Sequence, residues 1–216
     1  MKSFAPSARM LRHALVVAAA LLVTACASQP VPAQSSAPVP APRPAQAVAP
    51  MDLSGQKVLV LPVQAAGGIP QNRDEVTREI LFALGERDTR TQWIDPDRLR
   101  SALRRTPGYA QDPDALPAES FRHHNERYMQ GAMGSLVRRY SALMDVRLVL
   151  IPRGAQWLPE STDGGGKVRI SAVMVDARSG NVIWYGDADG ETRPTADGAA
   201  LATAAAALAA RMVVSR

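Results

Sequence analysis

Residues 168–186 read VRISAVMVDARSGNVIWYG. Val168, Ile170, Ala172 and Met174 recur at every second position, with Arg169 and Ser171 between them. A period of two sends successive side chains to opposite faces of a strand. The run ends at Asp176-Ala177-Arg178-Ser179-Gly180. An Asp accepts backbone N–H bonds and a Gly adopts positive φ, so this pentapeptide favours a tight turn. Strands over 167–176 and 181–187 are therefore predicted to pair. One face of the first is buried against helices, and the opposite face is wetter.

The pattern extends outward from this pair. Residues 146–158 form another apolar run, separated from the first strand by PESTDGGG at 159–166, a hairpin loop. Downstream, residues 197–213 are alanine-rich, with Leu201, Leu208 and Met212 on one side, which predicts a packed helix. Upstream, KVLVLPV at 57–63 is a β-branched and leucine run ending at a proline, as expected of a buried first strand. Gly67-Gly68 and Pro70 break it.

Asn72 and Glu75 then make a capping pair, Val76, Ile80, Leu81 and Leu84 follow at helical spacing, and Gly85 is the expected stop. Residues 90–94 are a short strand. Asp95-Pro96 starts the next helix, with Leu99, Ala102 and Leu103 inward. After a proline-broken loop at 106–118, Phe121, Met129, Met133, Leu136, Val137, Tyr140, Leu143 and Met144 predict a long helix. Gly131 and Gly134 within it would bend it or admit a close neighbour. The order β-α-β-α-α-β-β-β-α predicts an α+β (or α/β) fold, a mixed sheet of about five strands packed against about four helices.

The 216-residue chain carries 25 basic and 20 acidic residues, a formal net charge of +5. Lys2, Arg9 and Arg12 hold three of those positive charges, so residues 26–216 have 22 basic against 20 acidic residues. A near-neutral domain lacks the counterion-release drive of nucleic-acid binding, and no nucleic-acid partner is expected.

The excess charge sits at the N-terminus. A basic leader (Lys2, Arg9, Arg12, His13) precedes the apolar run 14–23, which is short of the roughly 20 residues a spanning helix takes. Thr24 and Ala25 are small, and Cys26 is the only cysteine. The order basic, apolar, small is that of a secretory signal peptide over 1–25. Val23-Thr24-Ala25-Cys26 resembles the lipobox of bacterial lipoproteins. That resemblance implies a diacylglyceryl thioether on Cys26, cleavage before it and acylation of the new amino group. In such lipoproteins an aspartate after the cysteine retains the protein at the inner membrane; here the residue is Ala27. The expected place is the outer membrane, facing the periplasm.

Residues 27–50, ASQPVPAQSSAPVPAPRPAQAVAP, have no hydrophobic period and cannot bury a core. As a polyproline II chain they would reach on the order of 70 Å. The chain thus divides into a signal peptide (1–25), a lipidated cysteine with a disordered proline-rich tether (26–54) and a globular domain (55–216).

Three stretches of that domain together resemble one periplasmic family: KVLVLPV (57–63), TQWIDPDRLRSALRR (91–105) and the strand pair at 168–186. The family includes the curli-secretion lipoprotein CsgG, the N-terminal domain of TolB and LpoB, a lipoprotein activator of a penicillin-binding protein. The resemblance spans most of residues 55–213. It implies a non-enzymatic accessory or adaptor role in envelope assembly or secretion. The alternative is activation of a peptidoglycan synthase, since LpoB-like proteins share the anchor, linker and domain. CsgG-like pores need additional membrane hairpins, and the loops at 106–118 and 159–166 are too short to supply them.

No catalytic constellation is evident, so no enzyme activity, cofactor or metal is expected. His123 and His124 point about 100° apart on a helix. Glu119, His123 and Arg127 share a face but fall short of a ligand set. Gly164-Gly165-Gly166 lacks the lysine and hydroxyl residue of a phosphate loop. Asp187-x-Asp189-Gly190 hints at a calcium loop, but Gly198 stands where the closing glutamate belongs. Arg98, Arg100, Arg104 and Arg105 cluster on the second helix. They make either a solvated face or a contact for anionic head groups or an acidic partner. Replacing all four by Gln is expected to leave folding intact and weaken partner capture. The resemblance implies an envelope protein as partner, a peptidoglycan synthase or a secretion or assembly component, and is compatible with an oligomer.

Overall fold

The computed structural model describes residues 49–116, 127–129, 131–160 and 164–214. The signal peptide, Cys26, most of the tether, Glu119, Phe121, His123 and His124 lie outside the described residues. The described residues all belong to the unit Pro44–Arg216. Its elements are β1 (Lys57–Val60), β2 (Ala66–Gly67), α1 (Arg73–Arg87), β3 (Gln92–Ile94), α2 (Pro96–Arg105), a 3-10 turn (Pro113–Ala115), α3 (Gly131–Met144), β4 (Leu148–Pro159), β5 (Gly166–Asp176), β6 (Asn181–Asp189) and α4 (Gly198–Met212).

The strands form one six-stranded mixed sheet in the order β3-β1-β4-β5-β6, with β2 added alongside β4. β1 pairs in parallel with β3 and β4, and β2 is parallel to β4. β4, β5 and β6 form an antiparallel meander. This is the expected α+β class with its mixed sheet and four helices. The sixth strand is the two-residue β2, which glycine and proline signals at 67–70 concealed. Its pairing comes from β4 beside it and has no local sequence signature.

β1 explains why KVLV reads as a continuous apolar run. Val58 and Val60 point into one core with Ile80 and Leu84 of α1, Ile170 and Met174 of β5, and Leu201 and Leu208 of α4. Leu59 points into the other, with Leu99 of α2, Met133, Val137 and Tyr140 of α3, and Val149 and Val175 of the meander. A strand buried on both faces needs apolar residues at every position. On β5 the expected wet face exists only in its first half. Lys167, Arg169 and Ser171 are partly exposed, but Val173 and Val175 are buried in the second core.

The capping expectations hold. Asn72 Oδ1 accepts from Glu75 N at 2.9 Å and Glu75 Oε2 accepts from Asn72 N at 3.0 Å. Asp95 caps α2 by accepting from Asp97 N at 2.7 Å. Two helix boundaries differ from the sequence reading. α1 runs through Gly85 to Arg87, and the buried Asp88 closes it with its N–H on Leu84 O at 3.0 Å. Glycine costs a helix only about 1 kcal/mol, and burial of Ile80 and Leu84 outweighs that. α3 covers Gly131–Met144, and the long helix expected through Met129 is interrupted before it, Phe121 itself lying outside the described residues. Residues 127–129 run along the sheet edge instead, with Val182 N donating to Arg127 O at 3.0 Å and Met129 N to Gly180 O at 2.7 Å. Gly134 admits the close neighbour: a Cβ there would sit 2.6 Å from the Met129 carbonyl oxygen.

Candidate interaction site

The arginines of α2 separate once the helix is placed. Leu99 and Ala102 face the core, which leaves Arg98, Arg104 and Arg105 exposed on the other side. Arg104 Nη2 donates to Ser101 Oγ at 2.8 Å. Arg100 is different. Its side chain is only 19% exposed. Its Nε and Nη2 donate to the two oxygens of Asp114 at 2.8 and 2.7 Å. Nη1 reaches Asp97 Oδ1 at 2.6 Å, and Nη2 also reaches Asp74 Oδ1 at 2.9 Å. One guanidinium thus ties α1, α2 and the 3-10 turn together. The hydrogen bonds to Asp114 raise the Arg100 pKa further, against desolvation. The same bonds hold the Asp114 carboxyl below its ordinary range.

Arg100 is thereby set apart from the other three arginines: its guanidinium is shared by Asp114, which is partly buried with it, and by the exposed Asp74 and Asp97, so its replacement bears on the fold as well as on any partner. No local period could have revealed this. Asp114 is 14 residues from Arg100, and Asp74 is 26.

The loop that carries Asp114 has few backbone bonds of its own, and helices supply the donors. Arg73 Nε donates to Val63 O at 2.5 Å, and its two Nη atoms donate to Asp114 O at 3.2 Å. Tyr140 Oη donates to Gln111 O at 2.6 Å and Arg139 Nη1 to Tyr109 O at 3.1 Å. Burial raises the Tyr140 pKa, and the nearby Asp112 and Asp114 charges add to that. Beside this clasp lies an open cleft of about 790 Å³, lined by Gln71, Asn72, Arg73, Asp74, Arg78, Arg100 and Asp114 among others. Its cations and carboxylates are nearly matched.

A second cleft, of about 580 Å³, lies at the end of the sheet where β1 begins. Four cations line it from four parts of the chain: Lys57 of β1, Arg138 of α3, Arg147 just before β4 and Arg178 of the β5–β6 turn. Lys57 Nζ pairs with Asp145 Oδ2 at 3.2 Å. Arg147 donates to Asp176 Oδ2 from Nε at 2.8 Å and from Nη2 at 2.5 Å. Asp176 Oδ1 accepts from Arg178 N at 3.0 Å and Ser179 N at 3.4 Å, and Gly180 follows with φ 77°. This is the turn chemistry read from the sequence. The Arg147 bonds first, then the turn N–H groups, hold the Asp176 carboxyl below its ordinary range. Lys57, Arg138 and Arg147 carry no motif, and only the fold brings them to Arg178.

The hinted calcium loop is otherwise engaged. Asp189 accepts from Arg169 Nε at 2.5 Å and Nη2 at 2.7 Å, and Lys167 Nζ lies 3.4 Å from it. Among the described residues no group of three His, Cys, Asp or Glu is placed to hold a metal ion. Among them, too, no helix is long and apolar enough to cross a membrane.

The chain is similar to several solved structures. The C-terminal domain of LpoB from Escherichia coli is 16% identical with a TM-score of 0.43, the match covering 64% of this chain and 84% of that one. The PelC dodecamer from Paraburkholderia phytofirmans is 12% identical with a TM-score of 0.41, covering 76% and 93%. A lipoprotein from Neisseria meningitidis is 15% identical with a TM-score of 0.38, covering 66% and 84%. No protein-family model matches the chain, and no curated protein sequence matches it.

Proposed function

We propose that this protein is a lipid-anchored, periplasm-facing accessory lipoprotein that acts by binding other envelope components and not by catalysis. The observation that carries the reading is Val23-Thr24-Ala25-Cys26 at the end of a ten-residue apolar run, followed by the proline-rich tether. A basic leader, an apolar run, small residues and the only cysteine must coincide for that pattern to form. Acyl chains on one residue give stable anchoring, at about 0.8 kcal/mol per buried methylene. The domain supports the binding role. Two of its clefts, of about 580 and 790 Å³, gather arginines and carboxylates from separate parts of the chain at the surface, where partners can engage them.

The assembly or secretion role follows the resemblance to the CsgG and TolB family. The second reading, activation of a peptidoglycan synthase, is favoured by the combination of anchor, tether and domain that LpoB-like proteins share. Metabolic labelling with palmitate tests the anchor. Label on the wild type and none on Cys26→Ser supports the proposal, and an unlabelled wild type overturns it. Deleting residues 30–50 separates the two roles. A synthase activator working across a gap loses function, while a factor acting at the membrane keeps it.

A further inference from the structure

We propose that the cleft at the start of β1 is a membrane contact that takes the phosphates of anionic phospholipid head groups. The choice of a membrane rests on the anchored reading above. Lys57, Arg138, Arg147 and Arg178 converge there from separate parts of the chain. Two of the four have carboxylate partners, Asp145 and Asp176. Among the described residues, Arg138 and Arg178 form no ion pair, and both are exposed. The cleft therefore sets four cations against two carboxylates, whereas beside Arg100 three cations meet the three carboxylates Asp74, Asp97 and Asp114. Planar guanidinium forks match phosphate oxygens two at a time. A volume of about 580 Å³ is adequate for a head group.

The occupant follows from where the chain joins the domain. Gly55 and Gln56, which line the cleft, are the last residues before β1. Gly55 N donates to Arg90 O and Gln56 N to Leu53 O, so the incoming segment is fastened at this end of the sheet. A chain anchored through Cys26 approaches its membrane through that same segment. Tethering makes the second contact intramolecular, so a weak electrostatic attraction is enough to populate it. Each basic residue near an anionic surface strengthens partitioning about fivefold, an effect that salt screens.

The test uses the mature chain from residue 26 with Cys26→Ser, so that neither acyl groups nor the basic apolar leader contributes, and sedimentation with vesicles. Vesicles of phosphatidylcholine alone are compared with vesicles containing phosphatidylglycerol in equal parts. The expected result is stronger partitioning onto the anionic vesicles. Arg138→Gln with Arg178→Gln should reduce that gain roughly 25-fold. Arg78→Gln with Arg153→Gln removes the same charge beside the other clefts and should leave most of the gain.

Three results would overturn the proposal: no gain on anionic vesicles, an equal loss in both double variants, or release of the protein by soluble glycerol phosphate at matched concentration. The last would assign the cleft to a free phosphate compound. Palmitate labelling is measured separately, so a chain that binds anionic vesicles but takes up no label defeats the anchor and not the cleft.

Discussion

Around Arg100 one guanidinium meets the carboxylates of Asp74, Asp97 and Asp114, while around Arg178 four cations share Asp145 and Asp176. In sequence the first set looks like the exposed one, because Arg98, Arg100, Arg104 and Arg105 are packed into eight residues. The second set is spread from residue 57 to residue 178. The fold withdraws Arg100 from the first set, leaves Arg98, Arg104 and Arg105 exposed, and gathers the second set into one cleft. Charge density along the chain says where cations are made, but pairing across elements decides which remain available to a ligand. A partly buried arginine must be matched, since a desolvated charge without partners is costly. An exposed arginine carries no such requirement.

The comparison can be broken most directly at Arg100. Arg100→Met should destabilise the domain by about 2–3 kcal/mol, because it leaves Asp114 and its neighbours without their shared donor. The melting temperature should fall by roughly 5–10 °C, read by circular dichroism. A change within the noise of the measurement would mean that the clasp holds nothing.

Acid titration gives the next effect. Asp114, Asp176 and Asp189 are all held below the ordinary carboxylate range, chiefly by bonds from Arg100, Arg147 and Arg169 respectively. A carboxyl lowered on folding contributes stability that is complete above its unfolded pKa of about 4 and is lost as pH falls through its folded value. Stability should therefore be flat near neutrality and drop below about pH 4. In Arg100→Met that drop should be shallower, because the Asp114 share is already gone. Urea midpoints across pH measure this.

Asp176→Asn sharpens the contrast from the other side. The amide oxygen still accepts the turn N–H groups, but Arg147 loses its ionic partner. A cost of about 1 kcal/mol is expected in urea unfolding, together with stronger partitioning onto anionic vesicles. The smallest effect belongs to Arg138→Gln with Arg178→Gln, which should move stability by less than about 0.5 kcal/mol. If that pair destabilised the domain as Arg100→Met does, the two clefts would not differ in kind.

Much of the fold was legible because its signals are local. The alternation at 168–174, the turn from Asp176 to Gly180 and the Asn72–Glu75 box each depend on neighbours a few residues apart. The misses are where tertiary packing overrode a local rule. Gly85 did not stop α1, since Leu84 beside it is fully buried. The helical spacing from Phe121 onward did not survive at Tyr128, which bridges to Asn181 at the edge of β6. Of the candidate site, the position of Cys26 in its motif could be read directly, whereas the partners of Arg100 could not.

By itself the sequence determined the class of fold, the caps and turns, and the lipobox-like leader with its proline-rich tether, because each is written in short-range spacing and side-chain type. Tertiary structure alone decided that Arg100 is locked among three carboxylates and that Lys57, Arg138, Arg147 and Arg178 share one cleft. The reason is physical. Ion pairing acts over a few ångströms in space and is indifferent to distance along the chain, so only the folded arrangement of β1, α3, β4 and the β5–β6 turn could bring those charges together.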